Sequence, residues 1–154
     1  NNTQARTSFE NYVFTNQRNA TRSMITWYAC TFSEQGLLGL NEVFHLEHIY
    51  SKKRQEMEGG LKTEENIDSL GNKILLESAI NIKASDYRFE DKKKIYIGEQ
   101  RRGKNKEPSK ISEIMKDIVA CEEFNEEQIV IRNKAILEKF FNFLKDEKLI
   151  VVQD

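Results

Sequence analysis

Apolar residues recur at helical spacing early in the chain. Met24, Ile25, Tyr28, Ala29 and Phe32 stand at i, i+1, i+4, i+5 and i+8, one stripe of a helix that faces a core. Gly36 and Gly39 punctuate its end. The pattern then changes. Val43, Phe44, Leu46, Ile49 and Tyr50 are good strand formers and surround His45, Glu47 and His48. Residues 51–65 are polar, contain Gly59-Gly60 and show no periodicity, which predicts a loop. Ile74-Leu75-Leu76, after Gly71-Asn72, predicts a second short strand, and residues 77–85 have helical composition. Strand, loop, strand, helix is therefore the reading of residues 43–85.

Two further helices are predicted toward the end. Ile111, Ile114, Met115, Ile118 and Val119 repeat at three and four after Pro108-Ser109, a suitable helix start. Asn125 followed by Gln128 has the form of a capping box. Behind it Ile129, Ile136, Leu137, Phe140 and Leu144 mark a long amphipathic helix. Ile150-Val151-Val152 predicts a short strand or a docked tail. No internal repeat is visible.

Composition narrows the class. With 154 residues, 38% apolar and 32% charged, the chain suits one globular domain with a real core. No apolar run approaches the ~20 residues that span a bilayer, and no signal peptide is legible, so the cytoplasm is the expected location. The first residue is Asn, not Met, which reads as a piece of a longer protein. Cys30 and Cys121 are far apart and belong to no Cys-x-x-Cys pair; they read as buried small apolar residues of a reducing compartment. The net charge of −1 conceals an asymmetry. Residues 88–110 carry nine basic side chains against four acidic ones, whereas residues 111–154 carry ten acidic and six basic. The middle segment can thus face phosphate, although a solvated lysine-rich loop has the same composition.

The only two histidines flank a carboxylate, in His45-Leu46-Glu47-His48. Histidine titrates near ~6.5, so a neutral ring can take a proton at physiological pH, and a neighbouring carboxylate can hold a hard divalent cation. Together they suit phosphodiester hydrolysis. On these residues alone, structural and surface roles stay open.

The downstream order of residues adds to this. Glu47-His48-Ile49-Tyr50 is followed by Leu70-Gly71-Asn72-Lys73-Ile74-Leu75-Leu76, by Asn81 nine residues after Asn72, and by Phe89-x-x-Lys92. This order resembles the HNH, or ββα-metal, nucleases, above all the C-terminal nuclease domains of GmrSD-like restriction proteins. The HNH domain of RNA-guided CRISPR nucleases shows a similar pattern. The likeness is concentrated in residues 44–94, with Arg132 and Ala135-Ile136-Leu137 resembling the family's closing helix.

The resemblance implies an α+β fold, mostly helical around a small ββα-metal core. The N-terminal helical part would occupy residues 1–40, the core about 42–95 and the C-terminal helices about 109–147. It implies that His48 is the general base, that Glu47 and Asn81 bind one Mg²⁺ or Mn²⁺, and that Asn72 fastens the loop between the strands and so orients His48. Lys83 and Lys92 are candidates for phosphate contact. DNA is the implied substrate, in restriction or antiviral defence. An N-terminal NTP-binding ParB-like domain is the implied neighbour in a longer protein. Two departures stand out: Ser51 replaces a proline common in relatives, with a looser loop expected, and Asp86 stands where relatives often repeat an Asn. His45 reads as a packed or surface histidine, and Trp27, Tyr28 and Phe32 as core. The alternative is a catalytically inactive HNH-fold module that binds DNA or a partner; a helical interaction module with an accidental motif match is a third reading.

Overall fold

The computed structural model describes residues 3–4, 7–8, 18–99 and 106–150. Helix α1, Arg18–Cys30, buries Met24, Ile25, Tyr28 and Ala29, four of the five residues in the stripe expected from spacing; Phe32, the fifth, lies past the helix end and is half-buried. Cys30, the last residue of α1, is exposed, and Cys121 is half-buried; neither is the buried residue that composition suggested. Both are free thiols.

Strands β1, Phe44–His48, and β2, Lys73–Glu77, pair antiparallel in the register Phe44↔Glu77, Leu46↔Leu75 and His48↔Lys73. β2 is buried along Ile74, Leu75, Leu76 and Glu77, because α1 and helix α3, Ser78–Ala84, both pack on it. A strand covered in this way reads as a continuous apolar run, not an alternation. Glu77, buried at its end, accepts hydrogen bonds from Ser109 Oγ (2.8 Å) and the Lys110 N–H (2.6 Å). The carboxylate thus ties the segment beyond helix α4, Phe89–Tyr96, back to the sheet.

The segment expected to be a loop holds helix α2, Lys52–Glu58. It buries no residue, so it leaves no apolar stripe to be read. Ser51 is its N-cap, accepting the Arg54 N–H at 3.4 Å, and Gly59 ends it at φ +61°, a left-handed conformation that glycine adopts without steric cost. Ser51 therefore starts a helix where a looser loop was expected. Tight turns Glu64–Asp68 and Leu70–Asn72 follow.

Near the C-terminus, the repeat from Ile111 winds as a short turn with a π-helical part, Ile114–Ile118. Helix α5, Glu126–Asp146, has the expected capping box: Asn125 accepts the Glu127 N–H at 3.1 Å and Gln128 Oε1 accepts the Asn125 N–H at 3.0 Å. It buries Ile129, Arg132, Asn133 and Ile136 against the Leu70–Asn72 turn. Trp27 of α1 meets Phe140 and Phe143 of α5 at ring-centre distances of 5.4 and 5.5 Å, as packing and not as a free stacking platform. The tail at 151–152 lies outside the described residues. The described residues form a mostly helical α+β domain around a two-stranded sheet. Among them, no helix is long and apolar enough to cross a membrane.

Candidate active site

The joint between the strands is built around Asn72, which is fully buried. Its Oδ1 accepts the Tyr50 N–H at 2.7 Å, and its Nδ2 donates to the carbonyls of Tyr50 (3.0 Å) and Ile67 (2.9 Å). Its own carbonyl accepts the Ile49 N–H at 2.9 Å. One amide thus replaces the ladder where the chain leaves β1, satisfying backbone groups that would otherwise cost about 1–3 kcal/mol each when buried. The turn before Asn72 is held from α5. Arg132 donates to the carbonyls of Leu70, Gly71 and Lys73, and Glu113 receives the same guanidinium through both oxygens. The Gly71 N–H donates to Asn133 Oδ1. A Cβ at Gly71 would strike the Ile129 carbonyl and Asn133, so this glycine answers a close approach between backbones.

His48 ends β1, and its Nε2 lies 2.9 Å from Asp68 Oδ1. Lys73, its register partner, stands 3.9 Å from the same oxygen. Burial holds the His48 ring below the usual imidazole range, against the pull of Asp68. Burial also pushes the Asp68 carboxyl up, but the His48 hydrogen bond and the Lys73 charge outweigh it and the net shift is downward. Both directions favour a neutral imidazole beside an ionised carboxylate at neutral pH. Asp68 carries no motif signal: it is one acidic residue in a polar stretch, and only the fold brings it to His48.

His45 and Glu47 share the other parity of β1. Glu47 is 4% exposed, and its Oε1 receives Lys92 Nζ and the Tyr96 hydroxyl (3.1 Å) of α4. Burial raises the Glu47 carboxyl, with Lys92 working against it. Lys92 was a candidate for phosphate contact, but it is 1% exposed and also donates to the His48 carbonyl at 2.7 Å. Its charge is used inside the protein to pin α4 to β1, and it has no access to a phosphate. The Phe-x-x-Lys pattern thus reports a buried ion pair.

Asn81, in α3, turns its Nδ2 to His45 Nδ1 at 3.2 Å, and its Oδ1 is buried without a partner. Glu47 and Asn81 each have partners of their own, Lys92 with Tyr96 and His45. Among the described residues, no group of three or more His, Cys, Asp or Glu side chains gathers to hold a metal. Lys83 lines an open groove with Lys94 and Lys106, but Glu42, Asp91 and Glu99 line it too, so the groove is mixed in charge. Asp86 is exposed, 3.9 Å from Lys53, and its carbonyl accepts Arg54 Nε at 2.9 Å. Within the basic segment, Lys93 donates to the Cys121 carbonyl at 2.9 Å; Arg101, Arg102 and Lys104 lie outside the described residues.

This arrangement supplies a neutral ring able to accept a proton, a carboxylate behind it, and a buried amide oxygen still lacking a partner. Comparison with curated proteins and with solved structures finds no match. The family model for the C-terminal domain of GmrSD restriction endonucleases matches residues 1–139, and the chain belongs to that family.

Proposed function

We propose that the domain is a metal-dependent endonuclease of the HNH kind, which hydrolyses DNA phosphodiester bonds in restriction of foreign DNA. Membership of a restriction endonuclease family gives the general activity, and the finer chemistry rests on the site. His48, kept neutral by burial, takes the proton of the attacking water. Asn72 holds the chain that carries it. The observation that carries the metal reading is Asn81 Oδ1, a buried oxygen without a partner, which suits a hard cation such as Mg²⁺ or Mn²⁺. Glu47 fits in part: Oε1 is taken by Lys92 and Tyr96, and Oε2 is the oxygen left for a metal. A cation held there supplies Lewis acidity at the phosphate and charge stabilisation for the leaving oxygen. Lys83, on the open groove, is the remaining candidate for backbone contact with DNA. The domain acts in the cytoplasm, beside an NTP-binding ParB-like domain in the longer protein.

The test is nicking of plasmid by the purified chain with Mg²⁺ or Mn²⁺. EDTA abolishes it, and His48→Ala lowers the rate by roughly 10²–10⁴-fold. Nicking by His48→Ala at the wild-type rate would sink the assignment of the base. The engagement of Glu47 by Lys92 favours one second reading, an inactive module that binds DNA or a partner. That reading expects salt-sensitive DNA binding without cleavage, unchanged in His48→Ala.

A further inference from the structure

His48 and Asp68 are twenty residues apart in sequence, and one residue fixes the backbone beside each. Asn72 binds both backbone groups of Tyr50, two residues beyond His48, and the carbonyl of Ile67, the residue before Asp68. The turn that ends at Asp68 is also tied to the start of α5. Glu126 accepts the N–H groups of Lys62 (3.0 Å) and Thr63 (2.7 Å) and Nδ2 of Asn66 (3.1 Å). An incidental surface contact between two half-exposed side chains needs no such anchoring. Here the separation of ring and carboxylate is set by a fully buried amide.

The chemistry of the contact then decides the ring. An ionised carboxylate only accepts hydrogen bonds, so a neutral His48 that meets Asp68 through Nε2 must carry its hydrogen there. Nδ1 is left as the basic nitrogen.

We propose that Asp68 is the positioning residue of His48, a role that rests on the nuclease reading above. Its carboxylate holds the Nε2–H tautomer, keeps Nδ1 free to act as base, and stabilises the imidazolium that forms. Water gives one proton to Nδ1, its oxygen forms the new P–O bond, and the ester oxygen leaves and takes a proton from solvent. Lys73, 3.9 Å from Asp68 Oδ1, keeps the carboxylate ionised throughout.

The chain has only two histidines, so ¹⁵N-histidine labelling gives two ring systems, and His45→Gln identifies the one from His48. At a pH where the ring is neutral, wild-type His48 shows the Nε2–H tautomer, and Asp68→Ala shows a mixture. In Mn²⁺-dependent nicking, Asp68→Ala lowers kcat roughly 10–100-fold and leaves KM within about twofold, and Asp68→Glu recovers part of the loss. An unchanged tautomer in Asp68→Ala, or a changed tautomer with unchanged kcat, overturns the proposal. A wild-type chain that does not nick overturns the nuclease reading and this role with it. That result is told apart because the tautomer still responds to Asp68→Ala.

Discussion

Lys92 and Glu47 place opposite charges in the interior, at 1% and 4% exposure, with the Tyr96 hydroxyl as a third member. Removing one partner of such a pair leaves the other charge buried and alone, which costs about 3–5 kcal/mol. Lys92→Met is expected to destabilise by that amount in urea denaturation, and Glu47→Gln with Lys92→Met to recover much of it; additive single effects would show that the two do not interact. His48 gives a pH dependence at the same scale. Burial lowers its folded pKa below the ordinary histidine value of about 6.5, so the unfolded chain binds the proton more tightly. The stability this contributes is present above about 6.5 and is lost as pH falls through the lower folded value. His48→Gln is expected to flatten that part of the urea midpoint against pH, while a profile as steep as wild type would contradict it.

At the scale of elements, α2 shows how a helix forms without a core face. It has no buried residue, and its limits come from the Ser51 cap and the left-handed Gly59. The φ of −66° at Ser51 matches the value that a proline ring imposes. Ser51→Pro loses the cap hydrogen bond but reduces the freedom of the unfolded chain by a comparable amount, about 0.4–1 kcal/mol. Its melting temperature is expected to stay near wild type; a loss of several degrees would show that the cap matters more than the backbone fit. α1, β1, β2 and α5 were legible because each has an apolar pattern or a capping signature. α2 was not, because a solvated helix and a polar loop have the same composition.

Over the whole molecule, α5 is the element that assembles the site from behind. Arg132 reaches three carbonyls of the 70–73 segment, Asn133 receives the Gly71 N–H, and Glu126 holds the 62–66 loop. Gly71→Ala would force α5 away from the turn that carries Asn72, with overpacking of about 1–3 kcal/mol or more. The expected result is a lower denaturation midpoint together with weaker nicking, which follows from the role proposed for Asn72 in orienting His48; a variant with wild-type stability would show that the approach of α5 is not tight.

Sequence by itself determined the two strands and the helix that follows them, the burial of most of the α1 stripe, the capped start of α5 and the place of Asn72 between the strands. These are local or periodic properties, written in spacing. Tertiary structure alone decided the partners: Asp68 for His48, His45 for Asn81, and Lys92 with Tyr96 for Glu47. A charged side chain looks the same in sequence whether it faces a phosphate or a buried counter-charge. Only the distance to a residue from another element, and the water excluded between them, separates the two.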